Sequence, residues 1–204
     1  MPIAGRSVPR YAPWHIGRFR NRSEDQKDKV SEQTKERQAI LRATRFDRAM
    51  PELQSRDEFA VIGIAVRTSN AAEMRSSDAR IPALWNEYFA AGVTARIPNK
   101  TPDPSTFAVY TEYESDHTGL YSLVLGQQVS SLDQIPDKMA GLRIPAGRYL
   151  VFSADGPVPD AIVAAWREIW TYFQDNPHYK RAYSSDFEVY GTDPNTAEIF
   201  IALA

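Results

Sequence analysis

The chain of 204 residues contains no cysteine. Disulfides, thiolate metal sites and a cysteine nucleophile are therefore excluded, and the composition suits a reducing cytoplasm. Histidine is scarce. His15, His117 and His178 make up the whole set, and no two of them have metal-ligand spacing. Neither a metal nor a cofactor is expected. No phosphate-binding loop, dinucleotide fingerprint or nucleophile elbow occurs. No apolar run approaches the roughly 20 residues of a membrane span. The N-terminus lacks the apolar stretch of a secretory signal. The expected setting is cytoplasmic, with no membrane partner.

The small net charge of −2 conceals an asymmetry. Residues 1–56 hold 13 Lys and Arg against 7 Asp and Glu, a net of +6, whereas residues 57–204 hold 11 against 19, a net of −8. This reads as a basic leader, 1–56, ahead of an acidic domain, 57–204. Residues 1–22 carry Pro2, Pro9, Pro13 and scattered arginines without a period of 2 or 3.6, the pattern of a disordered segment. Ser23 can cap a short helix over 24–45. Its apolar positions, among them Val30, Ile40 and Leu41, are too few to bury much surface. Met50-Pro51 marks the boundary, and Met50 is itself a candidate start. The leader has charge but no recognition fold, so specific nucleic-acid binding is not expected.

Beyond Phe59 two half-length segments read alike. The first runs strand 59–68, helix 79–91, strand 106–113 and strand 119–129. The second runs strand 142–153, helix 158–173, strand 183–190 and strand 197–203. Both helices end in Tyr-Phe, at Tyr88-Phe89 and Tyr172-Phe173. Ile81, Leu84, Trp85, Tyr88 and Phe89 share one helical face, as do Ile162, Val163, Trp166, Ile169, Trp170 and Phe173. Pro82 falls in a first turn, where its missing N–H does no harm. Asp160 can cap the second helix, and Asn176-Pro177 ends it. The expected fold is α+β: tandem pseudo-twofold β-α-β-β repeats, one antiparallel sheet, two helices on one face, and a groove between the repeats.

Carboxylates placed among aromatics are the candidate chemistry. Strand alternation puts Tyr110, Glu112 and Glu114 on one face. It also puts Asp186, Glu188 and Tyr190 on one face, opposite Phe187 and Val189. Glu188 either faces water on an open sheet or sits in the groove. In the groove it needs a partner, because an unpaired buried carboxylate costs several kcal/mol. An organic cation supplies the charge, and aromatic rings supply its other contacts. Trp85, Trp166 and Trp170 serve as core packing, as groove walls, or as both.

These residues resemble the gyrase-inhibitor-like small-molecule-binding superfamily. It includes the effector-binding domains of AraC-type and MerR-type regulators as well as stand-alone proteins. The most similar branch is the integron-associated effector-binding proteins. The resemblance rests on Tyr113-Glu-Ser-Asp with Gly119-Leu-Tyr-Ser-Leu-Val-Leu-Gly126, and on Ile144-Pro-Ala-Gly147-Arg-Tyr149-Leu-Val-Phe152. Trp166-Arg-Glu-Ile-Trp170 with Tyr172-Phe173, and Asp186-Phe-Glu188-Val-Tyr190, complete it over residues 57–204. The resemblance implies a stand-alone sensor that binds an amphipathic, cationic, aromatic ligand and is linked to a separate transcription regulator. It implies Glu188 as the ligand's electrostatic partner. Tyr190, Glu114, Tyr110, Trp85, Trp166 and Trp170 are the other candidate ligand-binding residues. Two alternatives stand beside this reading. One is a hydrolase of strained cyclopropane-type or other small foreign compounds. The other is a protein-binding inhibitor of the gyrase-inhibitor type. The leader is too short for a paired helix-turn-helix domain, so direct activation of transcription is not expected.

Overall fold

A computed structural model of the protein describes residues 50–204. The leader's expected disorder and its helix over 24–45 lie outside the described residues. The strands are β1 (Glu52–Arg56), β2 (Phe59–Thr68), β3 (Thr106–Thr111), β4 (Tyr121–Val129), β5 (Ala140–Ile144), β6 (Gly147–Asp155), β7 (Ser185–Tyr190) and β8 (Thr196–Ala202). The helices are α1 (Asn70–Glu73), α2 (Ile81–Ala90), α3 (Val93–Arg96) and α4 (Asp160–Asp175).

All eight strands join one antiparallel sheet in the order β1-β6-β8-β7-β3-β4-β2-β5. The order is symmetric about the β7–β3 contact. The first half reads outward β3-β4-β2-β5 and the second β7-β8-β6-β1. Each half is therefore a β-α-β-β unit with one added edge strand. The second half's edge strand, β1, comes from the chain ahead of the first repeat. Residues 52–56, grouped with the leader on charge, thus form a strand that pairs with β6 from Glu52↔Val151 to Arg56↔Gly147.

The expected single strand over 142–153 is two strands. β5 ends at Ile144 and pairs with β2, while β6 starts at Gly147 and pairs with β1 and β8. A two-residue link spans at most about 10 Å. In a flat sheet six strand spacings of about 4.8 Å would separate these strands by about 29 Å. The sheet must curl until its two ends approach each other. The close facing of Gly63 and Gly126 across β2 and β4 belongs to the same sheet, since a Cβ at either would meet the opposing backbone of Leu125 or Ile62.

Strand alternation sorts the apolar side chains onto two faces. The inner face holds Val61, Phe107, Val109, Val124, Ile144, Tyr149, Val151, Phe187 and Phe200, with no helical residue among them. Phe187 and Phe200 stack at 4.6 Å. On the outer face, α2 packs Leu84 and Tyr88 against Ile62, Ile64, Leu123 and Leu125. There α4 packs Ile162, Ala165 and Ile169 against Leu150, Phe152, Ile199 and Ile201. The two helices therefore lie on one face, over separate halves of the sheet, and the central strands β3 and β7 run between them.

Local sequence explains the helix ends. Pro82 sits in the first turn of α2. The carboxylate of Glu73 accepts from the Arg80 N–H at 3.0 Å and the Ile81 N–H at 3.2 Å, which satisfies donors that no side-chain cap serves. α4 starts at Asp160 with Pro159 in the cap position, so Asp160 is the acid of the first turn and not the cap. Asn176 ends α4, its amide donating to the Tyr172 carbonyl at 2.8 Å. The short helices α1 and α3 lie in stretches without a usable period.

Candidate functional site

Glu188 lies on β7 opposite Ala108 of β3 and Ile199 of β8. The small Ala108 leaves room beside the carboxylate, and the larger rings come from one register step away. Glu188 is 1% exposed. Its Oε1 accepts from Trp166 Nε1 at 2.6 Å and from the Tyr110 hydroxyl at 2.8 Å. Its Oε2 accepts from the Tyr190 hydroxyl at 2.7 Å. Each half of the fold contributes: Tyr110 comes from β3, Trp166 from α4 and Tyr190 from β7. The rings continue outward. Trp85 of α2 meets Tyr190 edge-on at 5.0 Å, and Tyr110 meets Trp166 at 5.1 Å. Tyr121 lies 5.5 Å from Tyr110. Glu188 thus lies beneath Trp85, Tyr110, Trp166 and Tyr190, rings that are themselves only half-buried.

The electrostatics follow from that burial. Desolvation raises the Glu188 carboxyl above the usual carboxylate range, and the donors Trp166, Tyr190 and Tyr110 oppose the rise without cancelling it. Burial, followed by the charge of Glu188, holds the Tyr110 and Tyr190 phenols far above their ordinary value. Burial does the same for Tyr121, with the charges of Glu73 and Glu188 adding to it. All three phenols therefore remain hydrogen-bond donors. No cationic side chain pairs with Glu188 among the described residues.

A second polar cluster sits two residues along β7. Asp186 is fully buried and accepts from Arg181 Nη2 at 2.5 Å, from the Tyr113 hydroxyl at 2.8 Å and from the Ala202 N–H at 2.8 Å. The Arg181 side chain is 5% exposed. Burial pulls its guanidinium downward in pKa, but Asp186 and the neighbouring phenols outweigh that and hold it above its ordinary value. Arg181 Cζ lies 5.8 Å from the Trp166 ring and 4.5 Å from the Tyr183 ring. The indole of Trp166 therefore contacts both the lone carboxylate and the arginine of the ion pair.

The structure brings Glu188, Tyr190, Tyr110 and Trp166 into direct contact, with Trp85 on Tyr190 and Trp170 at 6.5 Å from Trp166. Glu114 stands apart from this group. β3 ends at Thr111, and Glu112 follows with a φ of 51°, which breaks the alternation. Glu114 is exposed and closes the loop, accepting from the Leu120 N–H at 3.2 Å. Three further residues, Arg181, Tyr113 and Tyr121, belong to the site's polar frame without being among the candidate ligand-binding residues; Tyr113 and Tyr121 stand in the sequence only within the motifs that carry the resemblance. Among the described residues no group of His, Asp or Glu is placed to hold a metal, and no helix is long and apolar enough to cross a membrane.

The profile of the integron-associated effector binding protein family matches residues 52–203. The chain belongs to that family. The match starts at β1, so the five residues before position 57 are family sequence as well as sheet. The integron cassette protein VCH_CASS2, from the mobile metagenome of Vibrio cholerae, is 34% identical, with a TM-score of 0.66 over 77% of this chain and 97% of that one. YobU of Bacillus subtilis (strain 168), named as a proposed transcriptional regulator, is 34% identical over 146 residues, 70% of this chain and 89% of its own. SAV2435, in a structure with tetraphenylphosphonium bound, shares the fold at 21% identity, with a TM-score of 0.64 over 76% of this chain and 94% of that one. The gyrase-inhibitor-like fold expected from the sequence is the fold observed.

Proposed function

We propose that the protein binds a small, amphipathic organic cation between α2 and α4, with Glu188 as its counter-charge, as a sensor linked to transcription regulation. One observation carries this reading: a fully desolvated carboxylate, ringed by aromatic donors, without a cationic partner among the described residues. Burying a charge in that way is costly unless something repays it. Structural ion pairing is not the explanation, because the neighbouring Asp186 has its arginine and Glu188 has none among the described residues.

The same rings suit a cation with aromatic substituents. A ring face attracts a positive charge, and desolvation strengthens the attraction. Tetraphenylphosphonium, the ligand of SAV2435, has this chemistry. The Glu188 donors hold the carboxylate in one orientation, so part of the ordering cost is met before the ligand arrives. The link to transcription rests on the family and on YobU.

The decisive experiment is calorimetric titration of tetraphenylphosphonium into wild type and Glu188→Gln. A charge-assisted contact contributes about 1.5–3 kcal/mol. The variant should therefore bind roughly ten- to a hundredfold more weakly. Equal affinity in the two proteins would remove Glu188 from the ligand site.

A further inference from the structure

Two buried donors beside the site have no acceptor among the described residues: Trp170 Nε1 and Arg181 Nε. A buried N–H without a partner is a standing cost to the fold, and native interiors hold few of them. Here two fall in one neighbourhood. Trp170 lies one turn of α4 beyond Trp166, with the rings 6.5 Å apart. The Arg181 guanidinium faces the same Trp166 ring at 5.8 Å.

The charge at this second place is already balanced. Arg181 spends its Nη2 on Asp186, so the pair is neutral as a whole. The remaining Nε–H suits a neutral oxygen better than a carboxylate, which would meet Asp186 as a like charge. An open cavity of about 360 Å³, lined by Phe173, Pro177, Tyr179, Lys180, Arg181 and Tyr183, reaches the Arg181 side of this place. Tyr183 is the ring that lies over Arg181, at 4.5 Å. Its backbone is left-handed, with a φ of 51°; its hydroxyl lies 3.5 Å from His117 Nδ1 and its ring meets Tyr113 edge-on at 5.4 Å. A bulky residue in that conformation is strained. The cover on Arg181 is thus a strained residue held mainly by ring contacts.

We propose that the site has a second pole, in which Trp170 Nε1 or Arg181 Nε donates to a neutral carbonyl or ether oxygen on the ligand, with Tyr183 moving aside to admit it. This rests on the reading of Glu188 as the cation's partner. The indole of Trp166 contacts both poles, donating to Glu188 and facing Arg181. The favoured ligand is then a cation that also carries an oxygen acceptor, and a purely hydrocarbon cation fills only half of the site.

The test uses the full chain and two probes of matched shape, (4-acetylphenyl)triphenylphosphonium and (4-ethylphenyl)triphenylphosphonium. Wild type should bind the acetyl compound about five- to tenfold more tightly, the ratio expected for one neutral hydrogen bond. Trp170→Phe keeps a ring and removes one donor. Arg181→Lys keeps the charge beside Asp186 and removes the other. The ratio should fall below about twofold in at least one variant, and whichever one it is names the donor. Equal binding of the two probes by wild type overturns the second pole, as does a full ratio in both variants. Glu188→Gln with the ethyl compound separates the two claims. If that variant binds it as tightly as wild type, or if wild type binds neither probe, the cation reading itself falls. If only the acetyl preference is missing, the cation reading stands alone.

Discussion

Trp166 Nε1 lies 2.6 Å from Oε1 of Glu188, so a helix of the second repeat is tied directly to the carboxylate at the centre of the sheet. The bond lowers the pKa of the acid it touches. Trp166→Phe keeps the ring and removes the N–H. Glu188 should then hold its proton to higher pH, and the pH midpoint of tetraphenylphosphonium binding should move upward. An unmoved midpoint would show that the contact positions the helix without tuning the acid.

The pH dependence of wild type has two opposite arms. Burial outweighs the donors, so the folded chain binds the Glu188 proton more tightly than the unfolded chain does. The group's contribution to stability is therefore complete below the unfolded carboxylate pKa, about 4.3. It is lost as pH rises through the raised folded value. Cation affinity runs the other way, falling as pH drops through that same value. Melting curves and titrations collected across this window on wild type and Glu188→Gln isolate both arms, because the variant lacks the titrating group. The variant should melt no lower than wild type above the window. A parallel pH profile in the variant would assign the effect to some other group.

The repeats were legible because their apolar periods are strong, and the face of Glu188 was legible because Phe187 and Val189 mark the opposite side as core. Other features depended on contacts that no local window contains. The apolar pattern runs straight through 142–153, and only the absence of an N–H at Pro145, together with pairing to opposite ends of a curled sheet, separates β5 from β6. β1 is short and mostly polar, and its partner Val151 lies far along the chain. Glu114 was placed by extending β3 past Thr111, which the left-handed Glu112 forbids. Arg181 is a single arginine in a loop, and nothing in its neighbourhood announces a buried ion pair.

That ion pair should be costly to break. Asp186 is fully buried and keeps only the Tyr113 hydroxyl and the Ala202 N–H once the guanidinium is gone. Removing one partner of a buried pair typically costs about 3–5 kcal/mol. Arg181→Met should therefore shift the denaturant midpoint strongly at neutral pH. A variant within about 0.5 kcal/mol of wild type, the range of an ordinary surface substitution, would mean that Arg181 is not the residue that compensates Asp186.

The last prediction concerns where the folding unit starts. β1 covers the outer edge of β6 through five residue pairs, and Arg56 places its guanidinium 4.9 Å from the Phe200 ring. Without β1, the backbone of β6 is an unpaired edge, which exposes polar groups and invites association with other chains. Removing residues 1–49 should leave cooperative melting intact, because every described strand lies beyond that point. Removing residues 1–56 should lower the melting temperature by several degrees, since a loss of even 1 kcal/mol moves a domain of this size by about 2–4 °C. The longer deletion should also elute larger than a monomer of its mass relative to the shorter one. Identical melting of the two truncations would show that β1 decorates the sheet without stabilising it, and would put the start of the folding unit at Phe59. A collapse of the shorter truncation would instead show that the first 49 residues contribute to the fold.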